Sequence, residues 1–178
     1  LEEMFRFDNK QLRKDGHDCW DMDNLWQGIL GGLKACKAAG KIPQTVGIDT
    51  WAVDFVLLDE HDRVIGDAVA YRDSRTEGMK DVVNEIIDPE SLYGRAGIQY
   101  QPFNTIYQLT ALKREHPEQL EQAKWMLMIP EYFNFLLTGV KKNEYTNASS
   151  TNLVHAESKQ WDLELIEKLG LPAGIFHE

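Results

Sequence analysis

Two carboxylates, a hydroxyl and an indole fall within one short run, Gly47-Ile48-Asp49-Thr50-Trp51-Ala52-Val53-Asp54-Phe55. That set suits a polyol. Carboxylate and hydroxyl oxygens can pair with sugar hydroxyls, while the indole offers a flat apolar face to C–H bonds. The β-branched run at residues 45–49 predicts a short strand, which puts the cluster at or just past the strand's end, where α/β proteins hold ligands. The same residues also read as turn caps, Asp49 and Asp54, around a core-filling Trp51.

A second polar run, Tyr71-Arg72-Asp73-Ser74-Arg75-Thr76, lies between a predicted strand and a predicted helix. Arg72 and Asp73 can form a fork that presents donors and acceptors to hydroxyls. A helix cap from Ser74 or Thr76, or a surface ion pair, accounts for the same residues. Asn104 and Thr105 open the next helix after the loop at residues 99–103, either closing on a ligand or capping the helix. The hydroxyl-rich run at residues 145–151 has no GxSxG elbow and no partnered histidine, so no serine nucleophile is indicated. The five histidines are scattered without HxxxH or HExxH spacing. Neither GxxxxGK[ST] nor GxGxxG occurs, so a phosphate cradle of either type must lie elsewhere if nucleotide is used.

These clusters need elements to hold them. Residues 3–7 predict a strand and residues 8–18, with Gly16, an exposed loop. Leu25, Trp26, Ile29, Leu30, Leu33 and Cys36 fall at helical spacing, so a helix is expected over 24–39, capped by Asp21 or Asp23 and ended by Gly40 and Pro43. Residues 55–58 and 63–65 around a polar turn predict a β-hairpin, and residues 68–71 a further strand. Met79, Val82, Val83, Ile86 and Ile87 form a helical stripe. Further helices are expected over 105–115, 118–124, 131–137 and 163–169, punctuated by Pro117, Pro130 and Pro172. Strands alternating with amphipathic helices give an α/β domain with a mixed sheet.

The chain has 178 residues, enough for one substantial core, and no linker or internal repeat divides it. Its formal charge of −10 works against binding nucleic acid or anionic lipid. No apolar stretch approaches the ~20 residues that span a bilayer, and no secretory signal opens the chain. Cys19 and Cys36 make no CxxC pair, which fits a reducing cytoplasm, with Cys36 expected as a buried thiol on the helix. Leu1 is not an initiator methionine, so an earlier segment is expected.

The runs GIDTWAVDFVLLDEHDRVIGDAVAYRDSRT, GIQYQPFNTIYQL and EYFNFLLTGVKKNEYTNASSTNLVHAESKQWD, in that order, resemble the first domain of the FGGY carbohydrate kinases. The resemblance implies an actin-like, ribonuclease H-like fold, incomplete at both ends, with residues 1–178 forming part of an N-terminal sugar-binding domain. It implies transfer of the ATP γ-phosphoryl group, with Mg²⁺, to a hydroxyl of a sugar such as a deoxyketohexose, across a cleft closed by a C-terminal ATP-binding domain that this chain lacks. By position, Thr50, Trp51, Ala52, Arg72, Asp73, Asn104 and Thr105 would line the sugar pocket. Ala52 stands where the family usually has glycine. The catalytic base would lie beyond Glu178 and the phosphate-binding hairpin before Leu1, so the chain alone would hold neither nucleotide nor metal and would be inactive. A non-catalytic sugar-binding module and an actin-like ATPase remain the alternatives.

Overall fold

A computed structural model describes residues 1–177. In chain order the elements are β1 (Gln11–Lys14), β2 (His17–Trp20), α1 (Met22–Ala38), β3 (Phe55–Leu58), β4 (Val64–Ile65), α2 (Met79–Asn84) and α3 (Pro89–Ala96). There follow α4 (Thr105–Glu115), α5 (Pro117–Gln122), β5 (Trp125–Met128), α6 (Ile129–Thr138), α7 (Tyr145–Ser149) and α8 (Leu163–Lys168).

Strand β3 organises the molecule. All four of its residues are buried, because helices cover both faces of the sheet and leave no solvent side to demand alternation. Phe55 and Leu57, with Met126 and Met128 of β5, pack against Val83 of α2, Ile106 and Leu109 of α4 and Ile166 of α8. Val56 and Leu58, with Leu127, face Leu25 of α1 and Phe133 of α6. The sheet order is β4-β3-β5. Both pairings are antiparallel, with Phe55 opposite Met128 and Leu57 opposite Ile65. The α/β class and the 55–58/63–65 hairpin agree with expectation, although every strand pair among the described residues is antiparallel.

Several expected elements are replaced. Residues 1–10 form no strand; the ring of Phe7 instead crosses α1 at Gly28, where an added Cβ would collide with it. The region read as an exposed loop holds the β1–β2 hairpin, turned at Asp15 (φ 49°) and Gly16 (φ 89°). Asp-Gly between two runs is a strong hairpin signal, but all four residues of β1 are exposed and give no apolar alternation. Residues 45–49 carry no strand. Around Val69 only a single bridge to Cys19 forms, flanked by Trp20 N–H to Ala68 O at 2.8 Å and Ala70 N–H to Asp18 O at 2.7 Å. Strand β5 is a short unbroken apolar run, whose periodicity cannot tell strand from buried helix. Helix α3 went unread despite three end signals: the Asp88 cap accepting from Ser91 N at 2.9 Å, Pro89 in the first turn, and left-handed Gly97. Among the cysteines it is Cys19 that is buried, while Cys36 is half-buried on α1.

Candidate functional site

The run from Thr50 to Asp54 precedes β3 instead of following a strand, which corrects the expected placement. Antiparallel pairing sets it beside the end of β5 and the start of α6, where Ile129 N–H donates to Asp54 O at 3.2 Å. The backbone is pinched there. Asp54 N–H donates to Ala52 O at 2.9 Å around Val53, whose φ of 69° is costly for a β-branched residue. Neighbouring elements hold that strained carbonyl. Val53 O accepts from Thr105 Oγ1 at 2.6 Å and from Gln108 Nε2 at 3.2 Å.

Asp54, fully buried, ties the loops together. Its Oδ2 accepts from Trp20 Nε1 at 2.6 Å, Trp51 Nε1 at 2.9 Å and Tyr71 N at 3.1 Å, and its Oδ1 from Gln108 Nε2 at 2.9 Å. Burial raises its pKa, outweighing the donors, of which Trp20 and Gln108 count most. The donors bring their rings together. Trp20 and Trp51 have centroids 4.3 Å apart, Trp20 and Tyr71 6.4 Å, and Tyr71 meets Phe103 edge-on at 5.6 Å. The loops carrying Trp51, Tyr71 and Phe103 therefore share one aromatic cluster.

The seven expected pocket residues divide into two groups. Thr50 and Trp51 are half-buried and Ala52 and Arg72 exposed. Thr50, Trp51 and Ala52 line a recess of about 400 Å³ walled on the other side by Glu131, Asn134 and Asn147. Burial raises the pKa of Glu131, whose Oε2 accepts from Asn147 Nδ2 at 2.9 Å. Arg72 Nε donates to Tyr71 Oη at 3.0 Å, and the guanidinium lies 5.2 Å from that ring. The fork expected between Arg72 and Asp73 does not form. Asp73 turns inward instead, accepting at Oδ1 from His17 Nδ1 (2.9 Å) and Arg75 N (2.8 Å), and at Oδ2 from Asp18 N (2.9 Å).

Asn104 and Thr105 are likewise buried. Asn104 Nδ2 donates to Ser150 O at 2.9 Å, and its Oδ1 accepts from Gln101 N at 2.7 Å. These bonds, with Ile106 N–H to Thr151 O at 3.0 Å, fasten α4 to the hydroxyl-rich segment. That segment includes α7, capped by Glu144. Trp20, His17, Gln108 and Arg75 were missed as members of this network. Arg75 Nη2 donates to Gln108 Oε1 at 2.7 Å, linking the Asp73 loop to Asp54. No local spacing reveals such partners, since they meet only across the fold.

Among the described residues no three His, Cys, Asp or Glu side chains gather into a metal site, and no helix is long and apolar enough to cross a membrane. The chain matches the model of the FGGY family of carbohydrate kinases, N-terminal domain, over residues 6–178. It is 56% identical to the rhamnulokinase of Halalkalibacterium halodurans over 178 residues, covering 100% of this chain and 38% of that protein. It is 54% identical to the rhamnulokinase of Oceanobacillus iheyensis over 176 residues, covering 99% of this chain and 37% of that protein. The chain thus spans under two fifths of the length of these curated relatives. In fold it is similar to the xylulose kinase of Rhodospirillum rubrum, with TM-score 0.83 at 17% identity, covering 94% of this chain and 36% of that one. An actin-like sugar-kinase architecture and a sequence match along nearly the whole chain lead to one assignment: the chain belongs to the FGGY family of carbohydrate kinases.

Proposed function

We propose that this chain is the sugar-holding part of an ATP-dependent kinase that phosphorylates the 1-hydroxyl of L-rhamnulose. One observation carries the reading: the 56% identity to a protein named rhamnulokinase, unbroken across the chain. Phosphoryl transfer depends largely on positioning and electrostatics, so a clamp that fixes the acceptor hydroxyl contributes directly to rate. In this reading Thr50, Trp51, Ala52 and Arg72 face the sugar. The Trp51 indole N–H is already given to Asp54, which leaves the ring face for C–H contact. Asp73, Asn104 and Thr105 have their side chains in internal bonds and act as positioning residues that hold the clamp's loops.

ATP and Mg²⁺ would be held by parts of the parent protein outside this chain. In this reading the residues here contribute acceptor binding. The 178-residue chain by itself is expected to be inactive and to bind sugar weakly, since half of a cleft gives up both contact and closure.

The test uses the full-length parent with L-rhamnulose, L-fuculose, D-xylulose and glycerol as acceptors and ATP as donor. L-Rhamnulose should be turned over with the highest kcat/KM. Turnover of another acceptor in preference, or binding without turnover, overturns the assignment. Ala52→Gly sharpens it. Removing one exposed methyl beside the sugar should shift KM about threefold while kcat stays within about twofold; an unchanged KM would put the sugar elsewhere.

A further inference from the structure

Thr50, Trp51 and Ala52 form only one wall of the recess of about 400 Å³, a volume typical of small-molecule pockets. The facing wall comes from a distant part of the chain: Glu131 and Asn134 of α6, Glu144, which caps α7, and Asn147 within α7. Glu131 and Asn134 stand three residues apart, which puts them on one face of α6. Glu144 sets the place of Asn147. Its carboxylate accepts from Thr146 N and Asn147 N, both at 2.9 Å, and so starts α7. Glu131, 7% exposed, then fixes the direction of the amide, its Oε2 accepting from Asn147 Nδ2 at 2.9 Å. Asn134 is exposed and Asn147 half-buried, so both residues are reachable from the recess they line.

Two chemically different walls therefore face each other. An indole across from carboxamides suits a sugar, whose C–H groups need an apolar surface and whose hydroxyls need partners that both donate and accept. Charge adds a second constraint. Asp49 and Glu144 also line the recess, and no lysine, arginine or histidine is among the described residues lining it. Hydrogen bonds from the Thr146 hydroxyl and backbone hold the Glu144 carboxyl below its ordinary pKa, so it is ionised near neutral pH. A ligand bearing its own negative charge would meet like charge here.

We propose, resting on the sugar-kinase reading above, that Asn134 and Asn147 hold the hydroxyls of the sugar on the wall facing Trp51, with Glu131 as the positioning residue behind Asn147, and that Asp49 and Glu144 restrict the site to uncharged sugars. None of these five residues stands out by local spacing; the fold brings them to the recess.

Steady-state kinetics of the full-length parent, with the neutral sugar it phosphorylates best, test this. Asn134→Ala, at an exposed position, should raise the sugar KM about fivefold and Asn147→Ala about tenfold, while kcat and the KM for ATP stay within about twofold. A purely structural role for these residues would not move the sugar KM selectively. Glu131→Ala should reproduce the Asn147→Ala effect, and Glu131→Gln, which keeps an acceptor for the amide, should restore most of it. If the variants at 131 and 147 do not fold, Asn134→Ala and the inhibitors below decide. As competitive inhibitors, L-rhamnonate should bind about tenfold more weakly than L-rhamnitol, and Asp49→Asn should narrow that gap about threefold. A parent that phosphorylates no sugar removes the kinase reading and this proposal with it. If sugar is phosphorylated, an unchanged sugar KM in Asn134→Ala and Asn147→Ala, or L-rhamnonate binding as tightly as L-rhamnitol, overturns the proposal and leaves the kinase reading standing.

Discussion

Asp54 and Asp73 are buried aspartates in neighbouring loops, each accepting several hydrogen bonds, yet their pKa values move in opposite directions. For Asp54, fully buried, burial is the largest influence and prevails over its donors, two indoles, a carboxamide and one backbone amide. For Asp73 burial also pushes upward most strongly, but Asp18 N–H, His17 and Arg75 N–H together outweigh it and hold the pKa below the usual carboxylate value. His17 can carry charge, and Arg13 Nη1 stands 3.9 Å away. Asp73 also lies directly under the thin β1–β2 hairpin, whereas Asp54 sits where three loops meet. The two are desolvated to different degrees, Asp54 fully buried and Asp73 less deeply set, so burial prevails at Asp54 while the donors, led by the Asp18 N–H, prevail at Asp73. Asp54 is built as an internal tie, and Asp73 as a charged anchor for the hairpin.

Truncating the two carboxylates should separate them most widely. Asp54→Ala leaves four donors facing an apolar methyl, and at about 1 kcal/mol or more per unmet buried partner it should cost about 3–5 kcal/mol. Asp73→Ala should cost about 1–2 kcal/mol, since His17 and the hairpin amides can turn to water. Urea unfolding measures both. Equal losses would mean that Asp54 is no more a tie than Asp73.

The pH dependence should separate them by sign. Asp73 has a folded pKa below its unfolded value of about 3.9. Its stabilisation is therefore complete above that value and is lost as pH falls through the lower folded pKa. Asp54 has a raised folded pKa, so its ionisation weighs against the fold at higher pH, and the fold gains as pH falls through that raised value toward about 3.9. Unfolding free energies measured from about pH 3 to pH 7 on the unmodified chain, Asp73→Asn and Asp54→Asn should show it. Asp73→Asn should flatten the acid-side loss, and Asp54→Asn the gain just above it. Curves that remain parallel to the unmodified protein would refute the assignment of sign.

The same contrast marks what the sequence made legible. Helix α1 and the β3–β4 hairpin were readable because one apolar face, or one polar turn, stands out locally. That Thr50, Trp51 and Ala52 share one recess follows from their adjacency in the chain. Strand β1 was not, since all its side chains are exposed and only its Asp-Gly turn speaks for it. Nor was the inward turn of Asp73. His17, 56 positions away, and Asp18 hold it through a hairpin invisible to apolar patterning. Trp20 and Gln108, which complete the Asp54 network from 34 and 54 positions away, were likewise beyond any local window.

Removing one donor from each carboxylate gives the finest test. Trp51→Phe keeps the ring against Trp20 but deletes the indole N–H given to Asp54. Because that donor is neutral and three others remain, stability should fall by only about 0.5–1 kcal/mol, while Asp54, already raised, should titrate higher still. His17→Gln removes from Asp73 a donor that can be charged, so Asp73 should move up from below the usual range toward it. Carboxyl ¹³C shifts followed through an acid titration report both groups at once. If Asp54 does not move in Trp51→Phe, the indole is not among its donors, and Trp51 is held over the recess by stacking on Trp20 alone.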